Sequence, residues 1–200
     1  MDIINVERRD MSIKAKQLRR TGKVPCSVYG GALPNAVSIQ MDLQTANQLF
    51  REKREGSRVQ LKLDGEVIPT QIKESTRNFD NHNVEHISFQ ALKADQPVNS
   101  VAHIQLINTD SVHGVLEHML YEVPYSALPK DMIDYVTIDL DGKQIGTVIT
   151  VADIPEFQSE AITLQIPEDS MVLRVVEAKS IVEEETDEDT DAAAEAPAEE

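Results

Sequence analysis

Residues 14–31 read KAKQLRRTGKVPCSVYGG, a stretch that predicts a basic helix, a strand and a glycine turn in succession. Its first ten residues contain five cations and no acid, whereas the whole chain has 19 Lys and Arg against 35 Asp and Glu. The five cations are Lys14, Lys16, Arg19, Arg20 and Lys23. A local basic cluster in an acidic protein indicates a surface for a polyanion.

The spacing predicts an amphipathic helix over about 12–21, with Ser12 as its N-cap and Gly22 just beyond its end. Its apolar side would carry Met11, Ala15 and Leu18, and its opposite side the cations. A strand over 24–29 follows and places Tyr29 before the glycine turn. Two interpretations stay open from the residues alone: a nucleic-acid surface, or a solvated helix followed by an ordinary hairpin.

The charge of the chain is unevenly distributed. Residues 1–93 have 15 Lys and Arg against 11 Asp and Glu, a net charge of +4. Residues 94–182 have 4 against 14, and residues 183–200 have none against 10, so each of these parts carries −10. A nucleic-acid site therefore belongs in the first part, and the acidic parts should face away from phosphate.

Further strands and one helix are predicted in the first part. Apolar alternation indicates strands over 3–9, 36–41, 58–63, 67–72 and 84–92, and a helix over 43–54 begins after Asp42. Asp64-Gly65 is a two-residue hairpin signal, and 76–83 is expected to be a polar loop that contains Arg77. Ile87 and Phe89 should point inward and His86 and Ser88 outward. Short antiparallel strands with two or three helices predict a mainly β, α+β barrel or sandwich over 1–93.

The rest of the chain predicts an all-β domain over 94–182 with at most one short helix. Strands are expected over 101–107, 119–125, 135–140, 145–151, 162–166 and 171–176. The acidic tail over 183–200 contains too little apolar surface to order itself. The sequence shows no secretory signal and no apolar run of membrane-spanning length, and its one cysteine, Cys26, cannot form an internal disulfide.

The sequence contains no complete catalytic or metal-binding motif. His113 and His118 are five residues apart, which puts them on different faces of a helix, and Gly22-Lys23 lacks the remainder of a phosphate loop. Basic neighbours could lower the pKa of Cys26, but a small residue at the start of a strand is more often there for packing. We therefore expect no enzyme activity, no metal, no cofactor and no small-molecule substrate.

The segment RRTGKVPCSVYGG at residues 19–31 resembles the motif of the bacterial large-subunit ribosomal protein L25 family, in particular its long two-domain form, general stress protein CTC. The resemblance extends through KESTR and HISF in 73–89, and more weakly to about residue 180. It implies a cytoplasmic ribosomal protein with a small N-terminal β-barrel and a β-rich second domain. It also implies binding to loop E of 5S ribosomal RNA in the large subunit, beside other subunit components.

The resemblance implies RNA contacts at matching positions of this sequence: Lys16, Arg19, Arg20, Lys23, Tyr29 and His86. The lead-in differs from the family pattern, but its cations Arg8, Arg9 and Lys14 are candidates too. Ser88 stands where the family often has Asp, and Arg77 completes the candidate set. Two alternatives remain: an adaptor that docks basic partners through its acidic β-domain, and a tRNA-binding accessory module.

Overall fold

The computed structural model describes residues 3–31, 33–159 and 161–177, which are mainly β-strand with two α-helices. The elements of the first part are β1 Ile3–Arg8, α1 Ala15–Arg20, β2 Lys23–Tyr29, β3 Val37–Asp42, α2 Leu43–Glu52, β4 Arg58–Leu63, β5 Glu66–Arg77 and β6 Val84–Ala91. The later strands are β7 Val98–Ile107, β8 Val115–His118, β9 Glu122–Ala127, β10 Tyr135–Asp139, β11 Val148–Thr150, β12 Ile162–Leu164 and β13 Met171–Val176.

Strands β1 to β6 close into a barrel in the order β1-β3-β2-β6-β5-β4. The expectation of antiparallel strands is wrong for two pairs, because β1 runs parallel to β4 and β2 runs parallel to β6. Members of each parallel pair are far apart in sequence, so the chain between them can return in the same direction. The barrel in the first part and the mainly β, α+β class are confirmed.

The hairpin between β4 and β5 has the predicted two-residue turn. Asp64 and Gly65 both have positive φ, 52° and 92°, and Leu63 pairs with Glu66. The strand after the turn is longer than predicted, because β5 continues to Arg77 and leaves only 78–83 as a loop. Register shifts between Ile72 and Glu74 and again before Arg77 interrupt the alternation of inward and outward side chains. The apolar pattern of the sequence therefore does not predict the second half of this strand.

The barrel interior is filled by the predicted inward side chains. Ile87 and Phe89 of β6 are fully buried, and Leu61 and Ile39 meet them from other strands. Helix α2 covers one end with Ala46 and Leu49, and begins after Asp42, whose side chain makes no capping hydrogen bond. The inward direction of Ile87 and Phe89 leaves alternate residues of the same strand on the outer surface.

Helix α1 is shorter than predicted, and Ser12 does not cap it. The Ser12 hydroxyl and N–H both bind the Asp10 carboxylate, which makes a turn before the helix, and Lys14 occupies the N-cap position instead. Leu18 is buried as expected, but Met11 lies in the turn and is 72% exposed. Gly22, with φ of 79°, follows the helix as predicted.

The second unit, residues 98–177 without residue 160, contains two small sheets, β10-β7-β9-β12 and β11-β13-β8. The expected strand over 119–125 is wrong in its first part, because the N–H groups of Met119 and Leu120 both bind the Val172 carbonyl as the chain changes sheets. The short strand β8 before this crossing was not expected. The strand expected from residue 145 begins at Val148, since a turn with positive φ at Gly146 precedes it.

Barrel and second unit meet along β7. Gly56 of the barrel, with φ of 85°, accepts a hydrogen bond at its carbonyl from the buried Ser100 hydroxyl, 3.1 Å away. The side chains of Gln71 and Arg58 reach the Asn99 and Pro129 carbonyls at 3.1 and 2.7 Å. These bonds join the side chains of one unit to the backbone of the other, which fixes the junction at several points.

Among the described residues, no helix has the length and apolar character needed to cross a membrane. The acidic tail over 183–200, and the last residues of the predicted second domain, lie outside the described part of the chain.

Candidate functional site

A groove of about 500 Å³ lies beside α1 and brings together four of the sequence-predicted cations, Lys16, Arg19, Arg20 and Lys23. The loop between β5 and β6 supplies Asn78, Asn81 and Asn83 to the same groove, together with Glu85 at the start of β6. The carboxylate of Glu85 accepts a hydrogen bond from the Asn78 amide at 2.9 Å. Ammonium, guanidinium and amide groups therefore dominate the polar lining, a composition suited to phosphate and to hydrogen-bonding ligands.

The cations around the groove differ in their hydrogen-bond and ion-pair partners. Arg19 is half-buried and donates from Nε to the Glu85 carbonyl at 3.0 Å, which ties α1 to β6. Lys23 pairs with Glu7, and this hydrogen bond raises the pKa of Lys23 and lowers the pKa of Glu7. The exposed side chains of Lys14, Lys16 and Arg20 have no hydrogen-bond or ion-pair partner within the described chain.

The outer face of the barrel next to the groove carries a cluster of His86, Ser88 and Ser27. Parallel pairing of β2 with β6 sets Ser27 opposite Ser88, and their hydroxyl oxygens are 3.4 Å apart. The Pro25 carbonyl, which can only accept, lies 2.8 Å from His86 Nδ1, so this nitrogen carries a proton. In the neutral ring His86 Nε2 is then the acceptor, and it lies 3.2 Å from the Ser88 hydroxyl.

A polar row continues from this cluster across neighbouring strands. Ser38 of β3 pairs with Ser27, and its carbonyl accepts the Arg9 backbone N–H at 3.1 Å. Tyr29 lies two residues beyond Ser27 on the same side of β2 and is 37% exposed. The predicted residues Arg9, Tyr29, His86 and Ser88 thus share one face of the barrel.

Two predicted site residues are held elsewhere. The guanidinium of Arg8 binds the Asp64 carboxylate at 2.6 Å, at the β4–β5 hairpin. Arg77 ends β5, donates from Nε and Nη2 to the His82 carbonyl and lies over the Phe50 ring at 4.4 Å. Both side chains are exposed, but their guanidinium groups already bind other groups of the protein.

Sequence reasoning missed Ser27, Ser38 and the asparagines of the β5–β6 loop. Ser27 alternates with Tyr29 in a predicted strand, so its outward direction could have been inferred. The asparagines stand in NFDNHN at 78–83, but nothing local to that segment shows that the barrel brings it against α1.

Cys26 is a core residue. Burial raises the pKa of its thiol to about 12, opposite to the direction that its basic neighbours in sequence would give. Within the described ranges, no three His, Cys, Asp or Glu side chains are grouped so that they could hold a metal ion.

The fold and the groove define a two-unit β protein whose closed barrel carries a cation-lined surface beside a short helix. Residues 4–89 match the model of the Ribosomal L25p family, and residues 97–179 match that of the ribosomal protein TL5 C-terminal domain. The chain belongs to the Ribosomal L25p family, in its long two-domain form.

Similar proteins span most of the chain. The large ribosomal subunit protein bL25 of Xanthomonas campestris pv. campestris is 32% identical over 164 residues, 76% of this chain and 76% of its own. That of Enterococcus faecalis is 27% identical over 189 residues, 91% and 92% of the two chains, and that of Nitrosomonas europaea is 26% identical over 171 residues, 82% and 86%. Membership of this family makes the protein part of the ribosome and so places it in the cytoplasm.

Proposed function

We propose that the protein is a structural component of the large ribosomal subunit that binds 5S ribosomal RNA through the barrel. The observation that carries this proposal is the groove with Lys16, Arg19, Arg20 and Lys23 directly beside the polar face of His86 and Ser88. The relatives are named as proteins of the large subunit. The sequence motif at 19–31 adds 5S RNA as the partner, since it resembles that of proteins with this role.

The α1 groove and the polar face of the barrel would make different kinds of contact with the RNA. Lys16 and Arg20 have no partner in the described chain and can neutralise phosphates without first breaking an internal bond. Arg19 and Lys23 fix α1 and the barrel edge while they keep the groove positive. Phosphate contacts of this kind set affinity and register but carry no sequence information.

The barrel face supplies the groups that can read an irregular RNA. The hydroxyls of Ser27 and Ser88 rotate, so each can donate to or accept from a base edge or a 2′-hydroxyl. His86 is held by the Pro25 carbonyl and offers its second nitrogen on the same face, and Tyr29 adds an aromatic surface. Internal loops of RNA widen the grooves and expose such edges, which suits a rigid sheet face better than a regular duplex does.

The remaining candidates extend this surface. Lys14 at the N-cap of α1 would add a phosphate contact, and Arg9 lies at the end of the polar row. Arg8 and Arg77 would have to share their guanidinium groups between RNA and their present partners, Asp64 and His82. We propose the acidic second domain, 94–182, as a part that faces away from the RNA and plays no catalytic role. No comparison supports the adaptor or tRNA-module alternatives.

The test is a gel shift of the full chain on purified 5S RNA over a range of salt concentrations, with excess tRNA as competitor. We expect saturable binding that tRNA does not remove. Arg20→Gln should lower the slope of log affinity against log salt by roughly 0.7 to 0.9 for one lost phosphate contact. Lys62→Gln, on the exposed side of β4, is the matched control and should keep the wild-type slope. Binding that tRNA abolishes would refute the proposal, whereas equal slopes in both variants would remove Arg20 from the phosphate contacts.

A further inference from the structure

The β5–β6 loop, residues 78–83, forms a ridge between two depressions, and we name it the ridge loop. On one side is the α1 groove described above. On the other is a depression of about 640 Å³ that reaches the junction with the second unit. Asn78 borders both depressions, and Phe79 borders the second one.

Internal hydrogen bonds hold the ridge loop in one shape. The Asn78 side-chain oxygen accepts the Asp80 N–H at 2.9 Å, and the Asn78 N–H donates to the Asn83 carbonyl at 2.9 Å. Arg77 closes the loop from outside, with Nε and Nη2 at 3.1 and 2.9 Å from the His82 carbonyl. A six-residue loop with this many internal bonds is ordered before any partner arrives, so a partner does not have to order it.

Phe79 stands in solvent on this ordered loop. Its exposed fraction is 95%, the highest among the large hydrophobic side chains of the described residues. Burial in the protein core therefore gives no reason for an aromatic residue here. A rigid loop that displays a flat phenyl ring offers a stacking surface to a planar partner.

The positive charge that favours an anionic partner near Phe79 lies mainly across the ridge loop, in the α1 groove. Lys53, Arg54 and Arg77 line the same depression, and the cations of α1 lie across the ridge. Glu55 and Glu122 border it as well, and the exposed Asp80 follows Phe79 on the ridge loop, so the cations and carboxylates on this side are equal in number. Glu55 accepts the N–H and hydroxyl of Ser75 at 2.9 and 3.1 Å, and Glu122 lies 3.4 Å from a His103 ring nitrogen. A polymer with alternating phosphates and planar bases fits both the cations and the exposed ring.

We propose that Phe79 stacks on an unpaired base of the bound RNA, so that the RNA crosses the ridge loop from the α1 groove towards the junction of the two units. This inference rests on the proposed RNA binding and adds a contact, and a direction, that the resemblance does not supply. Stacking is tolerant of base identity, because every base has an aromatic face. Phe79 therefore selects an unstacked nucleotide at that position, whatever its sequence.

The chain contains no Trp, so Phe79→Trp creates a single fluorescent reporter at the proposed contact. The control is Tyr121→Trp, since Tyr121 is also an exposed aromatic residue, 63% exposed, but lies in the second unit. On titration of each full-length variant with 5S RNA we expect strong quenching at position 79 with saturation, and unchanged emission at position 121. Unchanged emission at position 79 with the RNA bound would refute the contact.

Affinity separates stacking from simple apolar contact. Phe79→Tyr keeps the ring and should bind as the wild type does. Phe79→Leu keeps an apolar side chain without a ring face and should bind about tenfold more weakly, within the range measured for loss of one base–aromatic stack. Its salt slope should stay unchanged, since no phosphate contact is lost. Wild-type affinity in Phe79→Leu would overturn the inference.

The two proposals fail differently. If the wild-type chain does not bind 5S RNA, both are wrong. If it binds, and Arg20→Gln flattens the salt slope while Phe79→Leu changes nothing, the RNA surface stands and only the stacking contact is wrong.

Discussion

Gly56→Ala should destabilise the protein through the contact between the barrel and the second unit. A Cβ atom at Gly56 would lie 2.5 Å from the Val101 carbonyl oxygen and 2.8 Å from the Ser100 hydroxyl. The φ of 85° also places Ala in the left-handed region, at about 1–2 kcal/mol. Relief of the overlap requires β7 to move away and to lengthen the 3.1 Å bond between the Ser100 hydroxyl and the Gly56 carbonyl, a loss of about 1 kcal/mol. We expect a total loss of about 3 kcal/mol in the free energy of unfolding.

The matched control is Gly65→Ala. Gly65 has a similar φ of 92°, but a Cβ there would meet nothing within 4 Å. This variant should lose only the conformational part, about 1–2 kcal/mol. Both substitutions reduce the entropy of the unfolded chain equally, so that effect cancels in the comparison. Urea denaturation followed by circular dichroism measures both values. Equal losses in the two variants would show that close packing at Gly56 does not hold the two units together.

Three further predictions concern single side chains. Arg19→Gln should lower stability by about 1 kcal/mol in thermal melts, unlike Arg20→Gln, because only Arg19 binds the Glu85 carbonyl; equal melting temperatures would contradict this. Burial raises the pKa of the Cys26 thiol to about 12, so Cys26 should react with iodoacetamide at pH 8 about a thousandfold more slowly than in the urea-unfolded chain. The free energy of unfolding should also fall as the pH rises from 9 to 12, because in this range only the thiol of the unfolded chain ionises. Comparable alkylation rates would place Cys26 outside the core. Tyr125→Phe should lose about 1–3 kcal/mol, because the Tyr125 hydroxyl donates to the Ile133 carbonyl and accepts its N–H; an unchanged urea midpoint would mean that other groups satisfy Ile133.

The sequence predicts those features that local periodicity determines. The alternation in β6 correctly separates Ile87 and Phe89 inside from His86 and Ser88 outside. The Asp64-Gly65 signal correctly predicts a hairpin, because two consecutive positive φ angles suit few other residue pairs. The cations of α1 were visible as a local cluster that opposes the global charge.

Features that depend on distant partners were not predictable in this way. The parallel pairing of β2 with β6 leaves no local mark, yet it is what sets Ser27 beside His86 and Ser88. The register shifts in β5 hid five residues of strand and with them the true size of the ridge loop. Ser12 has the composition of a helix cap, but Asp10 two residues earlier competes successfully for its hydroxyl.

The parallel closure of the barrel also determines when the protein can fold during its own synthesis. β1 pairs with β4, and β2 pairs with β6, so the first strands to leave the ribosome wait for partners made much later. Contacts of such long sequence separation form slowly, because a long loop must be ordered before they stabilise it. The surface beside α1 takes shape only when β6, up to Ala91, is available. A nascent chain shorter than this carries the basic helix without the walls of its groove, so the groove forms only after the whole barrel has been synthesised.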